Sequence, residues 1–256
     1  MRTLKTVILS VALALGMSAG AAMASGGGHE LPAQKWPHAG PLGKFDQAAA
    51  RRGLQVYREI CASCHGLKYI AFRNLAGIGL TEDQIKDVAA AYQVQDGPND
   101  NGEMFMRSGI SADRFPSPFP NEKAARVANN GAYPPDLSLM VDARVGGEDY
   151  VYALLTGYVD PPADVALMDG MAYNAYFPGN QIGMPPILSE GAIVYEDGTP
   201  ATVEQMAKDV STFLAFTSEP NQDERKGLGL KVILFLVVFS GLMFASKREL
   251  WKSVKH

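Results

Sequence analysis

The segment Cys61-Ala62-Ser63-Cys64-His65 contains a C-x-x-C-H motif, the spacing typical of a covalently attached c-type haem. In such a motif the two thiols bond to neighbouring vinyl groups of the porphyrin, and the adjacent imidazole ligates the iron from the same side. Cys61 and Cys64 are the only cysteines among 256 residues. The motif therefore predicts one haem c, attached through Cys61 and Cys64, with His65 as an axial ligand.

Two other uses of a cysteine pair fit the sequence less well. A structural zinc site needs further ligands at short spacing, whereas the remaining histidines, His29, His38 and His256, are scattered. A thioredoxin-like dithiol normally lies in a βαβ pattern, whereas the flanks of this motif have a helical pattern. Haem attachment remains the interpretation that uses every residue of the motif.

The N-terminus predicts export from the cytoplasm. A basic start with Arg2 and Lys5 precedes a short apolar run, and Ala22-Met23-Ala24 has the small-x-small pattern of a cleavage site. These are the features of a secretory signal peptide, residues 1–24. Covalent haem attachment in bacteria takes place outside the cytoplasm, so the signal peptide and the haem motif indicate the same compartment.

A second apolar stretch near the C-terminus predicts one transmembrane helix, residues 227–246. About 18 apolar residues, at a rise of roughly 1.5 Å each, nearly span a hydrocarbon core of ~30 Å. The tail that follows, residues 247–256, is basic, and by the positive-inside rule it stays in the cytoplasm. We therefore expect a single-pass protein of the inner membrane with its main domain in the periplasm.

The predicted exported domain is acidic. Between residues 25 and 230 there are 16 Lys and Arg against 26 Asp and Glu, a balance of −10. A field of that sign favours encounter with basic partners and makes a role in nucleic-acid binding implausible.

The fold class predicted from these patterns is mainly α: one cytochrome c-type haem domain, residues 25–226, with long ordered loop insertions, plus the C-terminal membrane helix. Capping and periodicity predict helices near five residues: Asp46, Thr81, Asn121, Glu148 and Thr202. Proline-rich segments between them predict loops rather than strands. Residues 193–195 could form part of a small hairpin.

The second axial position decides what a haem does, because a methionine there closes the site and raises the potential. Seven methionines lie between the motif and the predicted membrane helix: Met104, Met106, Met140, Met168, Met171, Met184 and Met206. Met206 lies on an apolar helical stripe and is predicted to be core. Met184 lies in Gly183-Met184-Pro185-Pro186, a restricted loop that suits a weak thioether–iron bond, but spacing alone leaves gap-filling open for it.

Several segments spread over most of the mature chain resemble the cytochrome c1 family, the haem subunit of the cytochrome bc1 complex. They include the haem motif and these stretches: Arg51-Arg52-Gly53, Gln95-Asp96-Gly97-Pro98, Met104-Phe105-Met106-Arg107, Ala128-Asn129-Asn130-Gly131, Pro134-Pro135-Asp136-Leu137-Ser138, Gly146-Gly147-Glu148-Asp149-Tyr150, Leu154-Leu155-Thr156-Gly157-Tyr158, Tyr176-Phe177-Pro178-Gly179, Ile182-Gly183-Met184 and Ser218-Glu219-Pro220.

The resemblance implies roles for individual residues. Met184 matches the sixth ligand of the iron, and Arg144 matches an arginine that neutralises a haem propionate. Asn129, Pro135 and Tyr150 match positions that line the haem crevice. The implied activity is a one-electron relay from a mobile Rieske iron–sulfur protein to a cytochrome c, beside cytochrome b, with no substrate chemistry of the chain's own.

One departure from some bacterial relatives is that no further cysteine pair follows Arg144, so the loop 160–176 is expected to be held by packing alone. Two rival functions stay open on the sequence. A haem peroxidase or gas sensor would need an open iron face, and a membrane-anchored cytochrome c subunit of a terminal oxidase would share the haem motif and the anchor.

Overall fold

The computed structural model describes residues 30–253, so the predicted signal peptide, His29 and the last three residues lie outside the described part. The described residues form a mainly helical protein with six α-helices, two 3₁₀ segments and two small antiparallel sheets. This agrees with the predicted fold class.

The central packing contact is a crossing of two helices, α1 (Gln47–Glu59) and α5 (Val203–Ser218). Asp46 begins α1, because its carboxylate accepts from Ala48 N at 2.9 Å and Ala49 N at 3.1 Å. At Gly53 a Cβ atom would lie 2.1 Å from the carbonyl oxygen of Asp209. Only glycine at this position lets the two backbones approach so closely, and α1 leads directly from the crossing into the haem motif.

The other predicted caps are also present. Thr81 and Gln84 form a capping box at the start of α2 (Glu82–Ala90), and the Asn121 side chain accepts from Ala124 N at the start of α3 (Glu122–Ala128). Thr202 caps α5 in the same manner, and α4 spans Gly147–Thr156. The 3₁₀ segments are Cys61–Ser63 and Phe72–Ile78.

The two sheets lie between the predicted helices, in segments for which the sequence analysis predicted no strand. Strands β1 (Gln93–Asp96) and β2 (Phe105–Ser108) pair antiparallel with Gln93 opposite Ser108, and β3 (Ala172–Tyr173) pairs with β4 (Gln181–Ile182). The suggestion of a hairpin at residues 193–195 is wrong, since these residues form no strand. Ile193 and Tyr195 are instead buried against the core by non-repetitive backbone.

The core surrounds the α1–α5 crossing and extends under the haem motif. Tyr57, Phe72, Phe115 and Phe213 are almost fully buried, and their ring centroids lie 4.4 to 5.9 Å apart in successive pairs. Met206 has no exposed surface, so its predicted place in the core is confirmed.

The C-terminal helix α6 (Gln222–Leu250) is long and apolar enough to cross a membrane, and its apolar window is not buried by the rest of the protein. The helix begins five residues before the predicted span, so residues 222–226 also belong to it. These residues are held by a contact that is distant in sequence, with residues 31–45, here called the N-terminal strap. His38 O accepts from Gln222 Nε2 at 3.0 Å and Lys226 Nζ at 2.6 Å, and Asp223 accepts from Phe45 N at 3.3 Å.

Candidate haem-binding site

The haem motif forms a tight turn directly after α1. The 3₁₀ segment is closed by Cys64 N and His65 N, which both donate to Cys61 O, at 3.1 and 2.9 Å. Both cysteines are free thiols, with Cys61 buried and Cys64 half-buried. Burial raises the pKa of the Cys61 thiol to about 12, and the neighbouring Cys64 adds to this. The turn therefore presents two reduced thiols and an imidazole within five residues.

The His65 ring has a defined tautomer and a free nitrogen. Its Nδ1 lies 2.7 Å from Pro135 O, and because a carbonyl only accepts, Nδ1 carries the proton in this bond. Burial lowers the pKa of His65, although the Pro135 hydrogen bond and the Asp136 charge act in the opposite direction. A neutral imidazole with its Nε2 lone pair available is the form that ligates a metal, and such an Nδ1–H···O=C bond orients it.

The backbone around His65 is braced from two sides. The buried hydroxyl of Tyr57 donates to His65 O at 3.0 Å, and burial raises the pKa of this phenol, so it stays a donor at neutral pH. On the other side Leu137 N donates to Gly66 O, and Asp136 accepts from Lys68 N, both at 2.9 Å. Four hydrogen bonds thus join the motif to residues 135–137 and to α1.

The loop that carries Met184 is also fixed by its neighbours. The Tyr158 hydroxyl donates to Met184 O at 2.9 Å, and the short strand β4 ends just before Gly183. A Cβ atom on Gly183 would lie 2.9 Å from the Cβ of Ala132, so this glycine permits a close contact between two loops. Met184 itself is half-buried.

One segment, residues 129–137, therefore lies next to both candidate axial ligands. Its Pro135 accepts from the His65 ring, and its Ala132 packs against Gly183, the residue before Met184. The donor groups available in these two regions are two thiols, a neutral imidazole and a thioether on a braced loop. Nitrogen and thioether ligands are the set found in electron-transferring haem c proteins. The residues present thus fit a haem c. Within residues 30–253 no group of three or more His, Cys, Asp or Glu is placed so that it could hold a metal ion.

The remaining predicted site residues fall into two places. Asn129 ends α3, where its Nδ2 donates to Ala125 O at 2.7 Å, and it starts the segment just described. Arg144 and Tyr150 form a second group at the start of α4. Arg144 is exposed, and its charge lowers the pKa of the half-buried Tyr150 phenol against the larger raising effect of burial.

Sequence reasoning missed the residues that hold the long loop before Met184. The expectation that packing alone holds residues 160–176 is wrong, because hydrogen bonds do much of it. The fully buried Asn174 donates to Leu154 O at 2.7 Å and accepts from Tyr176 N and Phe177 N. Asn174 and Tyr158 carried no spacing signal; only the three-dimensional contacts identify them.

His38 gives no support to an enzyme with a distal histidine. This strap residue is 4% exposed, its ring stacks on Phe45 at 4.6 Å between centroids, and its Nε2 lies 3.2 Å from Glu148 in the first turn of α4. His38 is therefore a packed structural residue between the strap and α4.

Comparisons with known proteins agree with the motif analysis. The model of the Cytochrome C1 family matches residues 36–254. Cytochrome c1 of Rhodospirillum rubrum is 47% identical over 98% of this chain and 97% of its own length. A mitochondrial relative from Solanum tuberosum, named as cytochrome c1-2, heme protein, is 53% identical over 89% of this chain and 88% of its own length. The protein named Cytochrome b/c1 from Bradyrhizobium diazoefficiens is 49% identical over 95% of this chain, which spans 40% of that longer protein.

Proposed function

The chain belongs to the cytochrome c1 family, and on that premise we propose that it relays single electrons within a cytochrome bc1 complex through one covalently bound haem c. The observation that carries the proposal is the hydrogen bond from His65 Nδ1 to Pro135 O, which leaves Nε2 free in a buried, neutral ring. It supports ligation, because metal-ligating histidines almost always donate their other ring N–H to such an acceptor, which fixes the tautomer and the orientation of the ring.

Each of the site residues has a separate role in binding the haem. Cys61 and Cys64 hold the haem covalently, and His65 and Met184 ligate the iron. When bound, haem c supplies a couple that takes up and releases one electron at a time. The thioether of Met184 favours the reduced state, and the bond from Tyr158 to Met184 O holds the loop in place. Arg144 neutralises a propionate, and Asn129, Pro135 and Tyr150 line the crevice.

Partners follow from the relatives' names and from the chain's charge. The Bradyrhizobium relative is named as Cytochrome b/c1, and a Candida albicans relative as a cytochrome b-c1 complex catalytic subunit. We infer cytochrome b as a neighbour in the membrane, a Rieske iron–sulfur protein as donor and a cytochrome c as acceptor. The chain is then an electron-carrier subunit, not an enzyme by itself.

The orientation is inferred from α6. Its last turn is basic, with Lys247 and Arg248, and the residues before it are apolar. The positive-inside rule then places the C-terminus in the cytoplasm and the haem domain in the periplasm of a single-pass inner-membrane protein.

The decisive experiment for partnership is purification of the full chain from membranes in mild detergent. A bc1 subunit should bring a b-type haem protein and a Rieske centre with it. Copurification with a copper-containing oxidase, and without a b haem or Rieske signal, would replace this proposal with the terminal-oxidase alternative.

The decisive test of ligation is Met184→Leu, which keeps roughly the side-chain volume and removes the sulfur. Haem should stay attached, because the link through Cys61 and Cys64 does not depend on that sulfur. The midpoint potential should fall, and carbon monoxide should bind where it did not before. Met206→Leu is the matched control, since this buried α5 side chain should cost less than about 1.5 kcal/mol of stability and leave the potential unchanged. The reverse pattern would show that the ligand is assigned to the wrong residue.

A further inference from the structure

The N-terminus of α4 is not stabilised by a side-chain cap. Its N-cap is Gly146, at a φ of 91°, with no side-chain cap, and Gly147 follows at a φ of 52°. These glycines join Arg144 to the helix that carries Tyr150. Two consecutive glycines in the left-handed region are conformationally permissive. The turn has one bond of its own between these residues, from Gly147 N to Arg144 O at 3.0 Å, so the direction of Arg144 relative to α4 depends on further contacts as well.

The N-terminal strap supplies those contacts. Asp149, in the first turn of α4, accepts from Trp36 Nε1 at 2.7 Å and from Gln34 N at 2.9 Å through the same oxygen, Oδ1. Leu31 packs against the glycine turn, where a Cβ on Gly146 would lie 2.3 Å from Leu31 Cδ1. The strap thus covers the two glycines and holds the carboxylate next to Tyr150.

The strap is itself held at its other end. Besides the two side chains of α6 that bind His38 O, Lys226 Nζ reaches Gly43 O at 3.4 Å, and Phe45 packs edge-to-face on Phe216 with centroids 5.7 Å apart. Because the strap is bound to α6 at one end and to α4 at the other, it holds the start of α4 at a defined place relative to α6.

We propose that Trp36 and Asp149 are positioning residues for the haem site: through the strap they hold the Gly146–Gly147 turn, and so fix Arg144 in the place from which it would neutralise a haem propionate. This rests on the proposed function, because it assigns Arg144 to a propionate. Trp36 and Asp149 do not touch the cofactor themselves; they act through Arg144.

The first test is a double-mutant cycle read as midpoint potential in the full chain. Trp36→Phe removes the indole N–H and keeps an aromatic ring beside His38, and Arg144→Gln removes the charge directly. A cation near the cofactor favours the reduced state, so both variants should lower the potential. Because Trp36 acts through Arg144, the double variant should lie no lower than Arg144→Gln alone. Trp251→Phe, the same change at the only other tryptophan, is the matched control and should leave the potential unchanged.

The second test separates positioning from the charge of Asp149. Asp149→Asn keeps an oxygen acceptor for Trp36 Nε1 and Gln34 N, whereas Asp149→Ala removes it. Positioning predicts a lowered potential for the alanine variant and a potential close to that of the parent for the asparagine variant. If Trp36→Phe does not accumulate, this pair decides the question alone.

The results that overturn the inference are specific. Trp36→Phe with a parent-like potential, a fully additive double variant, or equal shifts for Asp149→Asn and Asp149→Ala would each refute it. Covalent haem content is measured first in every variant by its alkaline pyridine spectrum. Absence of covalent haem in the parent chain would refute the proposed function, whereas normal haem content with an unmoved potential refutes only the role of the strap.

Discussion

Replacing Arg52 should destabilise the crossing of α1 and α5, which positions the haem motif at the end of α1. Arg52 donates to Asp209 through Nε at 2.9 Å and Nη2 at 3.1 Å, and to Asp197 through Nη1 at 2.9 Å. The Asp209 side chain is 1% exposed and that of Arg52 is 18% exposed, so this is a buried, bidentate ion pair between α1 and α5. Gln205 Nε2, at 2.9 Å, would remain as a neutral side-chain donor to Asp209.

The magnitude follows from that geometry. Removing one partner of a buried pair leaves an uncompensated charge and costs about 3–5 kcal/mol. Small domains have about 5–15 kcal/mol in total, so Arg52→Leu should remove a large share of the free energy of unfolding. Arg51→Leu is the matched control one residue away. Arg51 is exposed and has one 3.5 Å contact with Gly79 O, so the change should lie within about 0.5 kcal/mol.

The assay is denaturant unfolding of the detergent-solubilised full chain, followed by far-ultraviolet circular dichroism. Adding Asp209→Asn to Arg52→Leu should recover part of the loss, because the cost comes from the unpaired carboxylate rather than from the missing bond. If Arg52→Leu costs no more than Arg51→Leu, the reasoning about the buried pair is refuted.

Three further predictions concern the membrane helix, the acidic surface and a paired carboxylate. A chain ending after Lys226 should be soluble after export and keep its haem spectrum, whereas one ending after Asn221 loses the strap contacts of α6 and should melt at lower temperature; equal melting would contradict a structural role for that turn. The second-order rate with a basic cytochrome c should fall as salt rises, because screening acts over about 8 Å at physiological ionic strength; a rate indifferent to salt would exclude electrostatic steering. Arg107 holds the pKa of Asp113 below its ordinary value. The stability that the Arg107–Asp113 pair contributes is therefore fully present above the unfolded-state pKa of about 3.9, and it is lost as the pH falls through the lower folded-state pKa of Asp113. Arg107→Gln should thus destabilise the chain at pH 6 and make progressively less difference in denaturant unfolding below pH 4; a loss independent of pH would count against the pairing.

Local chemistry explains which parts of the fold were predictable. Asp46, Thr81, Asn121 and Thr202 begin their helices because a short polar side chain bonds to a backbone N–H two or three residues on, and such signals are contained in the sequence. The haem motif is local in the same way, since its thiols and imidazole lie within five residues.

The missed features depend on long-range contacts. Strand β1 pairs with a segment about ten residues further along the chain. It has no alternating apolar pattern that would predict a strand, and its four residues are exposed or half-buried. The bond from His65 to Pro135 joins residues 70 apart, and that from Trp36 to Asp149 joins residues 113 apart. No spacing in the sequence indicates such partners. The sequence therefore predicts which side chains are candidate ligands, and only the fold indicates what holds them.

The unbroken start of α6 has a mechanical consequence. At a rise of about 1.5 Å per residue its 29 residues form a rod roughly 43 Å long, and its first turn is bound to the strap rather than joined by a flexible linker. Such a rod leaves the haem-site domain no free hinge at the bilayer surface. A hydrophobic stretch longer than the local hydrocarbon core tilts to fit it. The apolar part of this rod, about 18 residues or roughly 27 Å, would therefore incline rod and domain together only in a bilayer thinner than that. A domain of about 200 residues reaches about 35 Å above the point where the helix enters the bilayer. At that height, a change of roughly 10° in helix tilt displaces the domain sideways by about 6 Å. Bilayer thickness thereby becomes a variable that acts on the placement of the site.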